Sequence, residues 1–491
     1  MPEVKVAVLG GSGWMGKVHT MAYQTFPHFF GVSGGTARVV VIVGANPNAA
    51  EDLAGRARGA KIIQDWRQAV NDPDVDLIDI CLPDSLHYEV AKAALTAGKH
   101  VYCEKPLANT AAEARELADI AKEKGVITRV GHAFPRNPVH DLAKEIIEKG
   151  EIGEIKLFRG CQHVDMYGDP MAPFMWRADG KLAPTGIVGD TGSHVFSFME
   201  FLVGRVSSLI ADNLIVTSRR PVVEGLGYGE QVKLRGDERW AEITNPDATN
   251  LLCRFENGAA GIVDFSRVAT GRKFMQTYEI YGSRGSIAYT YDEVNRLRFY
   301  TNDDRAGRSG FRAIDVGPEN PTFKAFLPLP NFALGYNETK IIEAAEVVKS
   351  ITTNTPMWPT LKTAITSARS STPAWSPRAV SAGSISRSPD RSSSKGLAPH
   401  ELRRVGRERL HLAVVAGRER IRRQHPRAAD AGHIWQLQVG RSLLEVDAAG
   451  RAEAQIRQRR GERGQQFRAA NRLGRKQLHR PEAEIPQRHG L

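Results

Sequence analysis

Three groups of residues in this 491-residue chain have the types and spacing to do chemistry. Gly11-Ser12-Gly13-Trp14-Met15-Gly16 is a G-x-G-x-x-G run that follows an apolar strand-like stretch and opens a helical pattern. The first glycine allows a tight turn, the second lets a pyrophosphate approach the backbone, and the third lets helix and strand pack closely. The helix N-terminus adds N–H donors and a partial positive charge for the phosphates. The second group, Cys103-Glu104-Lys105-Pro106, sits at the expected carboxyl end of a strand, where open α/β sheets bind their ligands. A lysine there can hold a substrate hydroxyl and stabilise charge developing on its oxygen, although most lysines are simply solvated. In the third, Asp190-Thr191-Gly192-Ser193-His194, an acid and a histidine stand four apart at a helix start. A histidine with a pKa near ~6.5 accepts a proton at neutral pH. Asp190 can pair with His194 or, more plainly, cap the helix.

Which dinucleotide binds is normally written at the end of the second strand, where an acid holds the ribose 2′-hydroxyl and selects NAD. Here Gly44-Ala45-Asn46 carries no acid, and the first following arginine is Arg56. The missing acid removes a repulsion against a 2′-phosphate and tilts toward NADP, with Asn46 as the ribose-side residue; NAD or NADP both stay open.

These residues need a scaffold, and the hydrophobic pattern describes one. Residues 1–131 alternate short apolar runs (Val4–Leu9, Val39–Val43, Lys61–Gln64, Leu77–Leu82, Lys99–Cys103, Ile127–Gly131) with amphipathic stretches such as Glu89–Ala97 and Thr110–Lys124. Such alternation predicts a parallel, doubly wound α/β sheet, a Rossmann domain. Residues 132–362 change character. Leu251–Phe255 and Ala260–Phe265 flank an Asn257-Gly258 turn, and Tyr278–Ile287 contains another. The expectation is an α+β domain with a large, mostly antiparallel sheet and helices near Ser193–Leu202 and Asn337–Ser350.

The net charge of +12 would suggest nucleic acid, but it is unevenly spread. Residues 363–491 hold 26 basic and 11 acidic residues, whereas the preceding 362 hold 41 and 44. The body is mildly acidic. Its four cysteines are widely spaced without a C-x-x-C pair, which fits a reducing cytoplasm and points to no metal site. No apolar stretch approaches the ~20 residues of a membrane span. The N-terminus reads as a first strand rather than a signal peptide.

Taken in order, the glycine loop, Cys81-Leu82-Pro83-Asp84-Ser85-Leu86-His87, Gly98 to Pro106 and Asp190 to His194 make the chain similar to the Gfo/Idh/MocA oxidoreductases over residues 1–362. The resemblance implies an NAD(P)-dependent enzyme that transfers a hydride between nicotinamide and a secondary alcohol of a sugar or cyclitol. It implies Lys105, Asp190 and His194 as the catalytic trio, Pro83, His87 and Glu104 beside the cofactor, and Trp176-Arg177 on the substrate. It also implies a homo-oligomer. Two positions depart from the family: Asp84 stands where relatives often carry Asn, and Ser197 where many carry Asp. The alternatives are a cofactor-binding protein without turnover and an NAD-dependent glycosidase. After Lys362 arginine almost replaces lysine, 24 against 2. Restoring one base after that codon, with suitable synonymous codons, reads a helix beginning Asp-Gly-Tyr, as in relatives. The tail therefore reads as out of frame and disordered, its rival being a natural basic tail that binds nucleic acid.

Overall fold

The computed structural model describes residues 2–223, 236, 238–303 and 307–361, together with three short strands further on. Residues 3–130 supply six strands: β1 (Glu3–Leu9), β2 (Thr36–Val43), β3 (Lys61–Ile63), β4 (Leu77–Ile80), β5 (His100–Cys103) and β6 (Thr128–Val130). They pair in the order β3-β2-β1-β4-β5-β6, parallel throughout. Helices α1 (Trp14–Phe30), α2 (Pro47–Arg56), α3 (Trp66–Asn71), α4 (Asp84–Thr96) and α5 (Ala111–Lys124) connect them. Every expected strand is present. Val6, Val8 and Leu9 of β1 and all of β4 are buried because helices cover both faces of the sheet. Helix α5 begins at a Thr110–Glu113 capping box and ends at Gly125 in the left-handed conformation. Helix α4 starts at Asp84, five residues before the apolar stripe at Glu89 suggests, directly after Pro83. Its N-terminus therefore faces the carboxyl edge of the sheet.

The chain continues through α6 (Pro138–Glu148) and β7 (Ile155–His163) to a π-helical turn at Val188–Gly192 that runs into α7 (Ser193–Leu202). Then follow β8 (Val206–Leu214), β9 (Arg219–Pro221), β10 (Trp240–Glu242), β11 (Ala248–Phe255), β12 (Ala260–Ser266), β13 (Met275–Gly282), β14 (Gly285–Thr290), β15 (Arg296–Thr301) and β16 (Arg312–Asp315). β9 and β10 form a ribbon, and the others join β7 in the order β16-β15-β14-β13-β7-β12-β11-β8. Only the β7–β12 pair is parallel among these, so the mostly antiparallel expectation holds. Phe158, Phe265, Tyr278 and Phe299 on one face pack with Phe196 and Phe198 of α7. The opposite face leaves Ile210, Leu252 and Ile262 exposed.

Two helices close this part, α8 (Pro321–Phe326) and α9 (Tyr336–Thr353). α9 returns to the first sheet: Ile341, Val347 and Val348 join Tyr23 and Phe26 of α1 in one core. Leu361 is buried in the other core of that sheet. In a separate unit, β17 (Trp435–Val439), β18 (Ser442–Val446) and β19 (Ala452–Glu453) pair antiparallel. The expected disorder of the tail otherwise falls outside the described residues. Among those described, no helix is long and apolar enough to cross a membrane.

Candidate active site

In the glycine loop the tight turn and the close packing are present, the turn shifted by one residue. The left-handed residue is Gly10 (φ +89°), not Gly11, and a Cβ at Gly10 would lie 2.4 Å from the Cys81 carbonyl oxygen. The N–H groups of Gly10 and Gly11 both donate to Val43 O at 2.9 Å, which ties the turn to β2. A Cβ on Gly11 would meet Ile42 at 2.5 Å, and one on Gly16 would meet Gly11 Cα at 2.5 Å, so both serve close packing. Gly13 has only Gly10 O nearby at 3.3 Å, and it N-caps α1 without a side-chain bond. An uncapped N-terminus beside an open glycine fits a dinucleotide pyrophosphate. Trp14 stands 63% exposed and stacks on Tyr336, with ring centroids 5.6 Å apart. Met15 Sδ accepts from the Tyr336 hydroxyl. Asn46 is exposed at the end of β2, as expected, and its side chain also caps α2 by accepting from Ala49 N at 3.3 Å.

Lys105, Asp190 and Arg177, far apart in sequence, converge. Lys105 Nζ donates to Asp190 Oδ1 at 2.9 Å and to Asp190 O at 2.6 Å. Arg177 Nε lies 3.3 Å from Asp190 Oδ2, its guanidinium over the Trp176 ring. Burial works against the Asp190 charge, yet Lys105 and Arg177 hold its carboxyl far below the usual range. The carboxylate is thus spent on two cations. Asp190 neither caps α7, which has no side-chain cap, nor bonds His194. The π-helical turn that carries it rests on glycines: a Cβ at Gly189 would strike Thr185, and one at Gly192 would press on Phe265. Such turns recur at functional positions.

His194 is buried, and its Nδ1 has no hydrogen-bond partner. Its ring meets Phe134 edge-on at 4.7 Å and His132 at 6.2 Å. Burial first, then Lys105 and His132, hold His194 well below its ordinary pKa. These influences keep the ring in the neutral form, the form a proton acceptor must start from, and make it a weaker base than a solvated imidazole. His132, which sequence reasoning missed, is also buried with an unpartnered Nδ1, and burial lowers it to about 4. Its place just after β6 was the available signal, the same that marks Lys105 after β5.

Glu104 and His87 face inward. The Glu104 carboxylate takes Lys340 Nζ at 2.5 Å, His19 Nε2 at 3.2 Å and the Lys105 N–H at 3.2 Å. Lys340 continues to Glu343 at 2.9 Å, and Glu343 to Arg129 at 3.0 Å. His19 also holds Asp79, and although burial opposes its charge, Asp79 raises it to about 9. Glu104 is therefore the anchor of a buried charged chain that fixes the backbone at Lys105. His87 Nδ1 faces Pro106 O at 2.6 Å and Nε2 faces Leu82 O at 2.8 Å. Two carbonyl partners require both ring nitrogens to carry hydrogen. Burial opposes that charge, but Cys103, Asp84 and the Pro106 carbonyl bring His87 up to about 10. Pro83 is exposed at the start of α4. Of the two departures, Asp84 is pushed upward by burial and Asp190 against the pull of His87 and Lys105. Ser197 donates to the His194 carbonyl at 2.6 Å.

Residues 4–132 match the profile described as "Oxidoreductase family, NAD-binding Rossmann fold", and residues 140–288 match "GFO/IDH/MocA C-terminal domain". The levoglucosan dehydrogenase of Pseudarthrobacter phenanthrenivorans is 38% identical over 352 residues, covering 72% of this chain and 90% of that protein. The chain belongs to the Gfo/Idh/MocA oxidoreductase family. Within the family, a myo-inositol 2-dehydrogenase of Thermotoga maritima is 28% identical over 251 residues, 50% of this chain and 66% of that one. A solved levoglucosan dehydrogenase in complex with NADH and levoglucosan superposes with a TM-score of 0.69 at 35% identity, spanning 75% of this chain and 96% of that one.

Proposed function

We propose that this protein is an NAD-dependent dehydrogenase that oxidises a secondary alcohol of a sugar of the levoglucosan type. The observation that carries the reading is a lysine locked on an ionised Asp190 beside a buried, neutral His194, at the edge of a sheet whose glycine loop fits a dinucleotide. Bound NAD supplies the hydride acceptor. His194 takes the hydroxyl proton, Lys105 holds the same oxygen and stabilises its developing negative charge, and Asp190 fixes the lysine head. Arg177, stacked over Trp176, would offer guanidinium donors to the sugar. Gly44-Ala45-Asn46 leaves room for either nucleotide; NADH in the solved levoglucosan dehydrogenase favours NAD over the lean toward NADP. The levoglucosan dehydrogenase similarity favours an anhydro sugar over inositol.

A panel of levoglucosan, glucose and myo-inositol with NAD+ and NADP+ tests this. NADH accumulating with levoglucosan supports it. NAD binding without accumulation on any sugar would point instead to a non-turning-over binder or a glycosidase with tightly held cofactor. Free cysteines at all four positions suit the reducing cytoplasm. The apolar, exposed residues Ile210, Leu252 and Ile262 suit self-association through the open sheet face; sedimentation velocity over a concentration range reads it.

A further inference from the structure

The open face of the eight-stranded sheet carries a group of side chains that the dehydrogenase reaction does not use. Cys161 and His163 are two apart on β7 and so project to one face. In the parallel register Asp264 of β12 lies directly opposite Cys161. That face is the reverse of the one where Phe158 and Tyr278 pack against α7. The Cys161 sulfur, a His163 ring nitrogen and an Asp264 carboxylate oxygen all lie within 4.8 Å of one another. His163 Nε2 bonds to the Asp264 carboxylate, and Cys161 Sγ lies 3.1 Å from Thr277 Oγ1 on β13. Cys161 is 8% exposed, while the His163 and Asp264 side chains are 22% and 45% exposed in the single chain.

We propose that Cys161, His163 and Asp264 form a Zn2+ site. Zinc takes thiolate, imidazole and carboxylate at ~2.0–2.3 Å in a tetrahedron. Its ligand atoms are then about 3.3–3.8 Å apart, inside the 4.8 Å within which these three atoms already lie. A thiolate and a carboxylate supply two negative charges against the two positive charges of the ion, with the imidazole neutral. The soft sulfur and the nitrogen favour zinc over magnesium or calcium. Three protein ligands leave the fourth position to water. On binding, the thiol proton leaves to solvent, and the ion takes the place of the hydrogen between His163 Nε2 and Asp264 as the neutral imidazole carries its proton on Nδ1 instead. The other Cys/His/Asp grouping among the described residues, His19, Asp79 and Cys81, differs. There Asp79 already holds His19 and the Tyr23 hydroxyl in the closed interior.

The spacing of cysteines along the chain pointed to no metal, because this site is written across two strands rather than along one. The test is titration of the full-length protein with Zn2+ and, for a spectroscopic signature, with Co2+. The wild type is expected to bind one Zn2+ per chain and to show, with Co2+, a thiolate-to-cobalt charge-transfer band and tetrahedral visible bands. Cys161→Ser should abolish the charge-transfer band, and His163→Gln and Asp264→Asn should each weaken zinc at least ~10-fold. NAD-dependent turnover and circular dichroism report whether each variant is folded. No thiolate band in the wild type overturns the proposal, as do three folded variants that bind zinc like the wild type.

Discussion

Lys105 is held at both ends. Its backbone N–H rests on Glu104, and its ammonium is gripped by the carboxylate and carbonyl of Asp190. A group fixed in this way stabilises charge on a substrate oxygen without reorganising as the reaction proceeds. Lys105→Met should therefore lower kcat by ~10²-fold or more while leaving NAD affinity, read by fluorescence titration, nearly unchanged. An equal loss of both would make the lysine structural. The buried histidines set opposing pH windows. His19, raised to about 9, contributes stability that is full below the unfolded value near ~6.5 and is lost as pH rises through 9. His132, lowered to about 4, binds a proton more readily when unfolded, so stability falls as pH drops from ~6.5 toward 4. Urea midpoints should peak near ~6.5. His19→Gln should flatten the alkaline decline, and an unchanged alkaline slope would remove His19 as its source.

At the scale of elements, α9 is the strut that places the reactive loop. Lys340 on α9 pairs with Glu104 at the end of β5 and with Glu343 on its own helix, all inside the protein. Removing the lysine leaves two buried carboxylates short of a cation, which costs about 3–5 kcal/mol. Lys340→Met should lower the unfolding free energy, read by urea titration, by that amount and also depress kcat, since Glu104 loses the partner that fixes it under Lys105. Retained stability would show that His19 and Arg129 suffice. The signal for this strut was thin, because Lys340 and Glu343 sit among apolar residues of an amphipathic pattern where charges are expected to point outward. The glycine loop was legible because its spacing is local. The chain from Glu104 to Arg129 was not, because its members are contributed by β5, β6, α1 and α9.

Across the whole molecule, Leu361 is buried at a helical position and donates its N–H to Thr128 Oγ1. From the switch to arginine after Lys362, 24 against 2 lysines, we infer that the coding frame slips there. Resequencing the DNA across codon 362 should reveal a missing base, and an intact frame read on both strands would end the idea. If the frame is intact, a basic tail that binds nucleic acid should show steeply salt-dependent affinity.

Local spacing alone marked the glycine loop as a dinucleotide candidate, the six parallel strands, the hairpins of the second sheet and the candidacy of Lys105, Asp190 and His194. Each of these is encoded over a few consecutive residues, where backbone periodicity and turn chemistry act. Tertiary structure decided what those residues touch. It moved the turn residue from Gly11 to Gly10, because the Cys81 backbone crosses there. It assigned the Asp190 carboxylate to Lys105 and Arg177 instead of to His194, and it turned Glu104 and His87 inward. It also set Asp264 opposite Cys161. These choices depend on strand register and on helices returning from more than two hundred residues away (Lys340 to Glu104), distances over which no sequence period extends.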